Sequence, residues 1–123
     1  MIDVKGKRVY ISGPMSDDLD TYHAHDFVDA HIALKNAGAV DIYDPAVEWL
    51  CDYYPIRPHE DYMRESFHEL TKYTIDTKTM AETTYYDMVV MLPGWQLSEG
   101  AKHECLVAGW CGIPCYELKD VVE

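Results

Sequence analysis

The segment LPGWQLSEGAKHE, Leu92 to Glu104, places a serine, a glycine and a glutamate at positions 98, 100 and 104, directly after the most apolar run of the chain. Those residue types at that spacing suit an anion seat and a reactive carboxylate on one helix. With Ser98 as N-cap, its hydroxyl and the amides of Gly100 and Ala101 face outward from the positive helix end, where a phosphate is stabilised. Gly100 has no Cβ and admits a close approach to the backbone. An ordinary serine cap followed by a tolerated glycine would leave the same letters, and spacing alone does not separate the two.

Glu104 is the sharper clue. On a wheel of about 100° per residue, Leu97, Ala101, Cys105 and Ala108 form the inward stripe. Glu104 falls at its edge, whereas Glu99 points to solvent. A carboxylate beside a buried face is costly unless it is paired or lines a cavity. It is therefore a catalytic group, a snorkelling acid or a structural hydrogen-bond acceptor. Tyr10, alternating with Val9 and Ile11, points into the same site or into the core with its hydroxyl satisfied. Asp87, at the start of the apolar run, caps the lower end of the sheet or reaches the pocket. Trp95 follows Pro-Gly and either stacks on a flat base or lies over the core.

The elements that must carry these side chains follow from periodicity. Lys7–Pro14 reads as a strand ending in a Gly-Pro loop, and Thr21–Ala37 as a helix with Ala24, Phe27, Ala30, Leu34 and Ala37 on one face, stopped by Gly38. Val40–Pro45 reads as a second strand. Glu60–Lys72 is a helix with Met63, Phe67 and Leu70 on one side, and a further helix is expected within Thr74–Thr83. Tyr85–Pro93 is a strand buried on both faces. Ser98–Trp110 is a helix stopped by Gly112, and Ile113–Leu118 a last strand. This alternation predicts an α/β fold: an open, mainly parallel sheet of four or five strands flanked by helices, flavodoxin- or Rossmann-like, in a single domain spanning 1–123. Ligands of such sheets bind beyond the carboxyl ends of the strands. That rule selects Ser12, Gly13, Pro14 and Met15, then Asp44, then Gly94 and Trp95 through Ser98 as pocket walls.

Composition narrows the chemistry by exclusion. Ten Lys and Arg against 22 Asp and Glu give a formal net charge of −12, the wrong sign for a polymeric nucleic acid. No stretch approaches the roughly 18 apolar residues of a membrane span, so a cytoplasmic protein that does not enter the membrane is expected. The six histidines show no HExxH, and Cys51, Cys105, Cys111 and Cys115 show no CxxC. Metal ligation is not expected, and the cysteines read as small buried hydrophobes. GxGxxG and GxxxxGK[ST] are missing, and with them the usual dinucleotide and P-loop readings; no cofactor is expected. Leu106 and Trp110 lie opposite the inward stripe of their helix, which suggests a homo-oligomer, a dimer or larger, built through that face.

VYISGPMS near the N-terminus, YDPA after the second strand and DMVVMLPGWQLSEGAKHECLVAGWCGIPCYEL together resemble the nucleoside 2-deoxyribosyltransferase-like superfamily. The likeness is greatest to a small, little-characterised branch with the pattern YISGPM…NPA…LLPGWxxSxGAxxE. It covers both ends of the chain, and about 47–83 only in layout. The resemblance implies cleavage of the N-glycosidic bond of a 2′-deoxynucleoside or its 5′-monophosphate, by hydrolysis or base transfer, with a nucleoside or nucleotide as partner. It implies Glu104 as nucleophile, Ser98 and Gly100 as holders of a 5′-phosphate, Tyr10 as the group orienting the nucleophile, and Asp87 as an acid assisting the leaving base. His23 and Asp44 stand where the branch shows Asn, and both departures bear on base specificity. A sensor that binds nucleotide without turning it over is the alternative.

Overall fold

A computed structural model describes residues 1–14, 22–45 and 59–122 of the chain. Four strands, β1 (Arg8–Ser12), β2 (Asp41–Tyr43), β5 (Met88–Met91) and β6 (Cys115–Glu117), form a parallel sheet in the order β2-β1-β5-β6. Helices α1 (Tyr22–Asn36), α2 (His59–Leu70) and α3 (Glu99–Trp110) flank it. This is the open α/β sheet that the alternation implies, with four strands.

Side-chain alternation on the two central strands divides the interior in two. Val9 and Ile11 of β1 join Met88, Val90 and Leu92 on one face, under Phe27, Ala30 and Leu34 of α1. Tyr10 of β1 joins Val89 and Met91 on the other, with Leu70 of α2 and Ala101 and Ala108 of α3. All four residues of β5 are buried, as expected of a strand covered on both faces. The chain leaves β1 toward β2 and returns to β5 on the other side. The carboxyl ends of β1 and β5 are therefore the point at which the strand order reverses, where ligands of such sheets bind.

Several boundaries and one element differ from the sequence reading. Residues 74–83 are not helical: β3 (Tyr73–Asp76) and β4 (Ala81–Thr84) form an antiparallel hairpin separate from the main sheet. Thr74, Ile75, Thr83 and Thr84 are β-branched and favour strands. Asp76 closes the turn, its Oδ1 accepting from the amide of Lys78 at 2.9 Å and its carbonyl from the amide of Met80. Ala37 is exposed beyond the end of α1. Leu97 is not part of the inward stripe, because α3 begins at Glu99; Leu97 ends a 3₁₀ turn, Trp95–Leu97, and is 91% exposed. Cys111 is exposed, while Cys105 and Cys115 are half-buried free thiols; Cys51 lies outside the described residues. Among the described residues, no helix is long and apolar enough to cross a membrane.

The two-faced core makes a contrast within α1. Leu34 is fully buried and Ile32 is half exposed. Leu34→Ala is expected to lower unfolding free energy by about 2–5 kcal/mol in urea titrations, and Ile32→Ala by less than about 0.5 kcal/mol. Equal losses would contradict the placement of α1.

Candidate active site

Glu104 lies in the middle of the buried stripe of α3, not at its edge: the buried residues of that helix are Ala101, Glu104 and Ala108. Starting the helix at Glu99 turns this face toward β1. Tyr10 and Ser12, on the same face of β1, meet the carboxylate from below. The Tyr10 hydroxyl donates to Glu104 Oε2, and the Ser12 hydroxyl donates to Glu104 Oε1 at 3.3 Å. Both carboxylate oxygens thus have a donor, although the side chain carries no countercharge from either. Only 8% of Glu104 remains exposed.

Burial pushes the Glu104 carboxyl up to about 7, against the lowering effect of the hydrogen bonds from Tyr10 and Ser12. Burial, and then the adjacent carboxylate, hold the Tyr10 phenol well above its ordinary value. Tyr10 therefore stays a donor across the neutral range, while Glu104 divides between acid and carboxylate there. Aromatic packing fixes the phenol. Its ring stacks on Tyr43 of β2 with centroids 4.9 Å apart and meets Tyr86 edge-on at 5.5 Å. Its oxygen also lies 3.4 Å from the carbonyl of Ser66 on α2.

The loops after β1 and β5 touch at this end of the sheet. The amide of Leu92 donates to the carbonyl of Ser12 at 2.8 Å. A Cβ on Gly13 would stand 2.8 Å from Leu92 Cβ, so only glycine allows this approach. Gly94 has φ +86° and starts the 3₁₀ turn with Pro14 close by. That turn delivers Ser98 as the N-cap of α3, its Oγ accepting from the amide of Ala101 at 3.2 Å. The Ala101 amide is thereby engaged in the cap rather than directed outward. Next to Gly100 stands Met63 of α2, whose sulfur would be 3.3 Å from an added Cβ. The glycine serves helix packing here.

A family model for a domain of unknown function, DUF4406, matches residues 7–116. The chain belongs to the DUF4406 family. No curated protein and no solved structure matches it. Every residue singled out in the sequence for the site falls within the DUF4406 match.

The DUF4406 chain brings Tyr10, Ser12 and Glu104 together, with Gly13, Pro14, Gly94, Ser98 and Gly100 at the same end of the sheet. Trp95 is half-buried beside them, its Nε1 donating to Glu117 Oε1 at 3.4 Å. Asp44 is buried at the carboxyl end of β2 but pairs with His31 Nδ1 at 3.1 Å, on the side covered by α1. Asp87 is a correction. Strand β5 begins after it, and its Oδ2 accepts from the amide of Arg8 at 2.8 Å. This is the start of β1, four residues or roughly 13 Å from Ser12. Asp87 is an end cap of the sheet and stands away from Glu104. Met15, and the side chain of His23, lie outside the described residues.

Three partners of Tyr10 went unread in the sequence: Ser66, Tyr43 and Tyr86. Ser66 had a signal, since it is a polar residue on the apolar face made by Met63, Phe67 and Leu70. Tyr43 and Tyr86 had none beyond aromatic character, because their contact with Tyr10 exists only after β2 and the end of the hairpin segment are placed.

The raised carboxyl makes folding depend on pH with a definite sign. The folded value of about 7 exceeds the ordinary 4.5. The stability associated with neutral Glu104 is therefore full below pH 4.5, is lost as pH rises to 7, and changes little above. Glu104→Gln does not titrate. Its stability relative to wild type in urea unfolding should rise by roughly 2 to 3 kcal/mol between pH 5 and pH 8. A difference that stays constant over that range would refute a buried, upward-shifted Glu104.

Proposed function

We propose that this protein cleaves the N-glycosidic bond of a 2′-deoxynucleoside or its 5′-monophosphate, with Glu104 as nucleophile, and that it belongs with the nucleoside 2-deoxyribosyltransferase-like enzymes. The observation that carries the reading is the buried Glu104 carboxylate held by the Tyr10 and Ser12 hydroxyls at the carboxyl ends of a parallel sheet. A sugar carbon that develops oxocarbenium character is stabilised by a carboxylate fixed beside it. Glu104 attacks C1′, the C1′–N bond breaks, and the electron pair leaves with the base, which takes up a proton. Water then attacks the same carbon, gives a proton to solvent, and frees the carboxylate. A second base attacking in place of water completes a transfer instead.

Tyr10 and Ser12 play orienting roles in this scheme. Each hydroxyl fixes one oxygen, and each hydrogen bond favours the ionised form that attacks. Two hydroxyl donors can hold the nucleophile without the strong quenching that an adjacent cation would bring. Ser98 and Gly100 sit at the start of the helix that carries Glu104, so an anion held there would be tied to the nucleophile through a rigid element.

The placement of Asp87 favours a second reading. The acid that the resemblance assigns to the leaving base stands at the other end of β5. A nucleotide-binding sensor would keep the pocket and lack turnover.

Incubation with a panel of deoxynucleosides and their 5′-monophosphates, followed by chromatography for free base, tests the enzyme reading. Release by wild type and its loss by at least about 1,000-fold in Glu104→Gln are expected. The value of kcat/KM should rise with pH through about 7, because the attacking form is the carboxylate. In Tyr10→Phe a donor to that carboxylate is lost, and the same limb should move to higher pH with a lower plateau. Saturable nucleotide binding with no base released would turn the conclusion to the sensor.

A further inference from the structure

The geometry points to the outer edge of β3 as a pairing surface for β3 of a second copy of this chain, antiparallel and centred on Thr74. The hairpin of β3 and β4 forms a two-stranded sheet of its own, and a lone hairpin is at best marginally stable. Among the described residues, no strand pairs with the outer edge of either β3 or β4.

Hydrogen-bond phase identifies the groups on that edge. The Tyr85 amide donates to the Lys72 carbonyl at 3.1 Å, so Lys72 faces β4. Residues alternate along an antiparallel ladder. Thr74 and Asp76 therefore also serve β4, and the N–H and C=O of Tyr73 and Ile75 lie on the outer edge. The Tyr73 and Ile75 side chains share one face and are 61% and 50% exposed. The edge of β4 is better guarded, because the exposed Glu82 lies within that strand, and a charge there opposes pairing.

The segment Lys72-Tyr73-Thr74-Ile75-Asp76 is complementary to itself when two copies run antiparallel. Thr74 then meets Thr74 of the second copy, Tyr73 meets Ile75, and Lys72 meets Asp76. Thr–Thr, aromatic–β-branched and opposite-charge pairs are the combinations that favour cross-strand contact. Lys72 Nζ is already held by Glu69 at 2.6 Å and lies over the Tyr85 ring. Its part is thus to avoid a like-charge clash with the second copy. In this register Tyr73 and Ile75, both facing the edge, form hydrogen-bonded pairs, and Thr74 falls at the narrow non-hydrogen-bonded position. A slip of one residue would set Tyr73 against Asp76, whose backbone faces β4, and those bonds would be lost. Charge favours the same place. Across 72–84, Lys72 and Lys78 offset Asp76 and Glu82, in a chain whose formal charge is −12. A second acidic copy therefore meets little repulsion at the hairpin itself. Pairing one strand buries less than the roughly 800 Å² per partner of a standard complex, so the dimer is weak and concentration-dependent.

Sedimentation of the full chain from about 1 μM to about 1 mM tests the pairing. The average mass should rise from monomer toward dimer, and should rise further in about 0.15 M salt than in about 0.01 M, as the repulsion between acidic copies is screened. Ile75→Lys, at a half-exposed position, should weaken association at least about 10-fold. Trp110→Ala, on the exposed face of α3, should leave it within about twofold. Register has its own readout. Under mild oxidation Thr74→Cys should give a dimer crosslinked through residue 74, since facing residues at a non-hydrogen-bonded position stand about 4.5 Å apart at Cα, within disulfide reach. Tyr73→Cys, which faces Ile75 and not itself, should crosslink far less. A chain that stays monomeric throughout, a dimer that Trp110→Ala abolishes and Ile75→Lys spares, or equal crosslinking from Tyr73→Cys and Thr74→Cys would overturn the inference.

Discussion

The carboxylate of Glu104 is enclosed by apolar packing and held by two hydroxyls, and the arrangement of the sheet around it follows from that pairing. Tyr10 and Ser12 reach it because they are two apart on β1, on the face that α3 covers. The residues between and before them, Ile11 and Val9, face the opposite way and anchor α1. Shifting β1 by one residue against its neighbours would put apolar side chains under Glu104 and two polar ones under α1. Both layers would suffer at once, so the buried acid and the core enforce the same register.

A buried acid with neutral donors is a different object from a buried ion pair. In the proposed cleavage, an adjacent cation would hold Glu104 ionised and resist its conversion to an ester. Hydroxyls stabilise the carboxylate enough to keep it near the neutral range, and they lose less when its charge disappears in a covalent bond. The Tyr10 ring, fixed between Tyr43 and Tyr86, keeps its hydroxyl in place through both states. On this view the tyrosine cluster is part of the site's rigidity, although none of its members except Tyr10 touches the carboxylate.

Much of this was legible in the sequence, and the limits have physical causes. The four parallel strands were readable because their apolar runs are short, bounded by Gly and Pro, and separated by helical spacing. Glu104 stood out because period 3.6 set it against Ala101 and Ala108, even though taking Leu97 into the helix displaced the stripe slightly. The 3₁₀ turn that removes Leu97 depends on Gly94 at positive φ, a backbone choice that periodicity does not register. The hairpin at 73–84 reads as helix in the sequence because its alternation is weak: it buries little, so hydrophobicity carries no signal, and only the β-branched content does. Asp87 is ambiguous until β5 is placed, since only the pairing of β5 with β1 sets it at the amino end of the sheet, against the amide of Arg8. The pairing of Asp44 with His31 joins two elements and has no local signature.

Under the proposed cleavage, the charges around Glu104 bear on which substrate it would serve. Ser98 and Glu104 are six residues apart on or at the start of α3, about 9 Å along the axis. At an effective dielectric of 20, a unit negative charge at that distance opposes ionisation of Glu104 by about 2 kcal/mol. The helix end returns only about 0.3–1 kcal/mol to an anion seated there, and Lys102 in the same turn is already paired with Glu99 at 2.8 Å. A phosphate bound at Ser98 would thus push the Glu104 carboxyl further toward its acid form. A neutral deoxynucleoside imposes no such opposition. Under the proposed cleavage, then, electrostatics favours the uncharged nucleoside over its 5′-monophosphate.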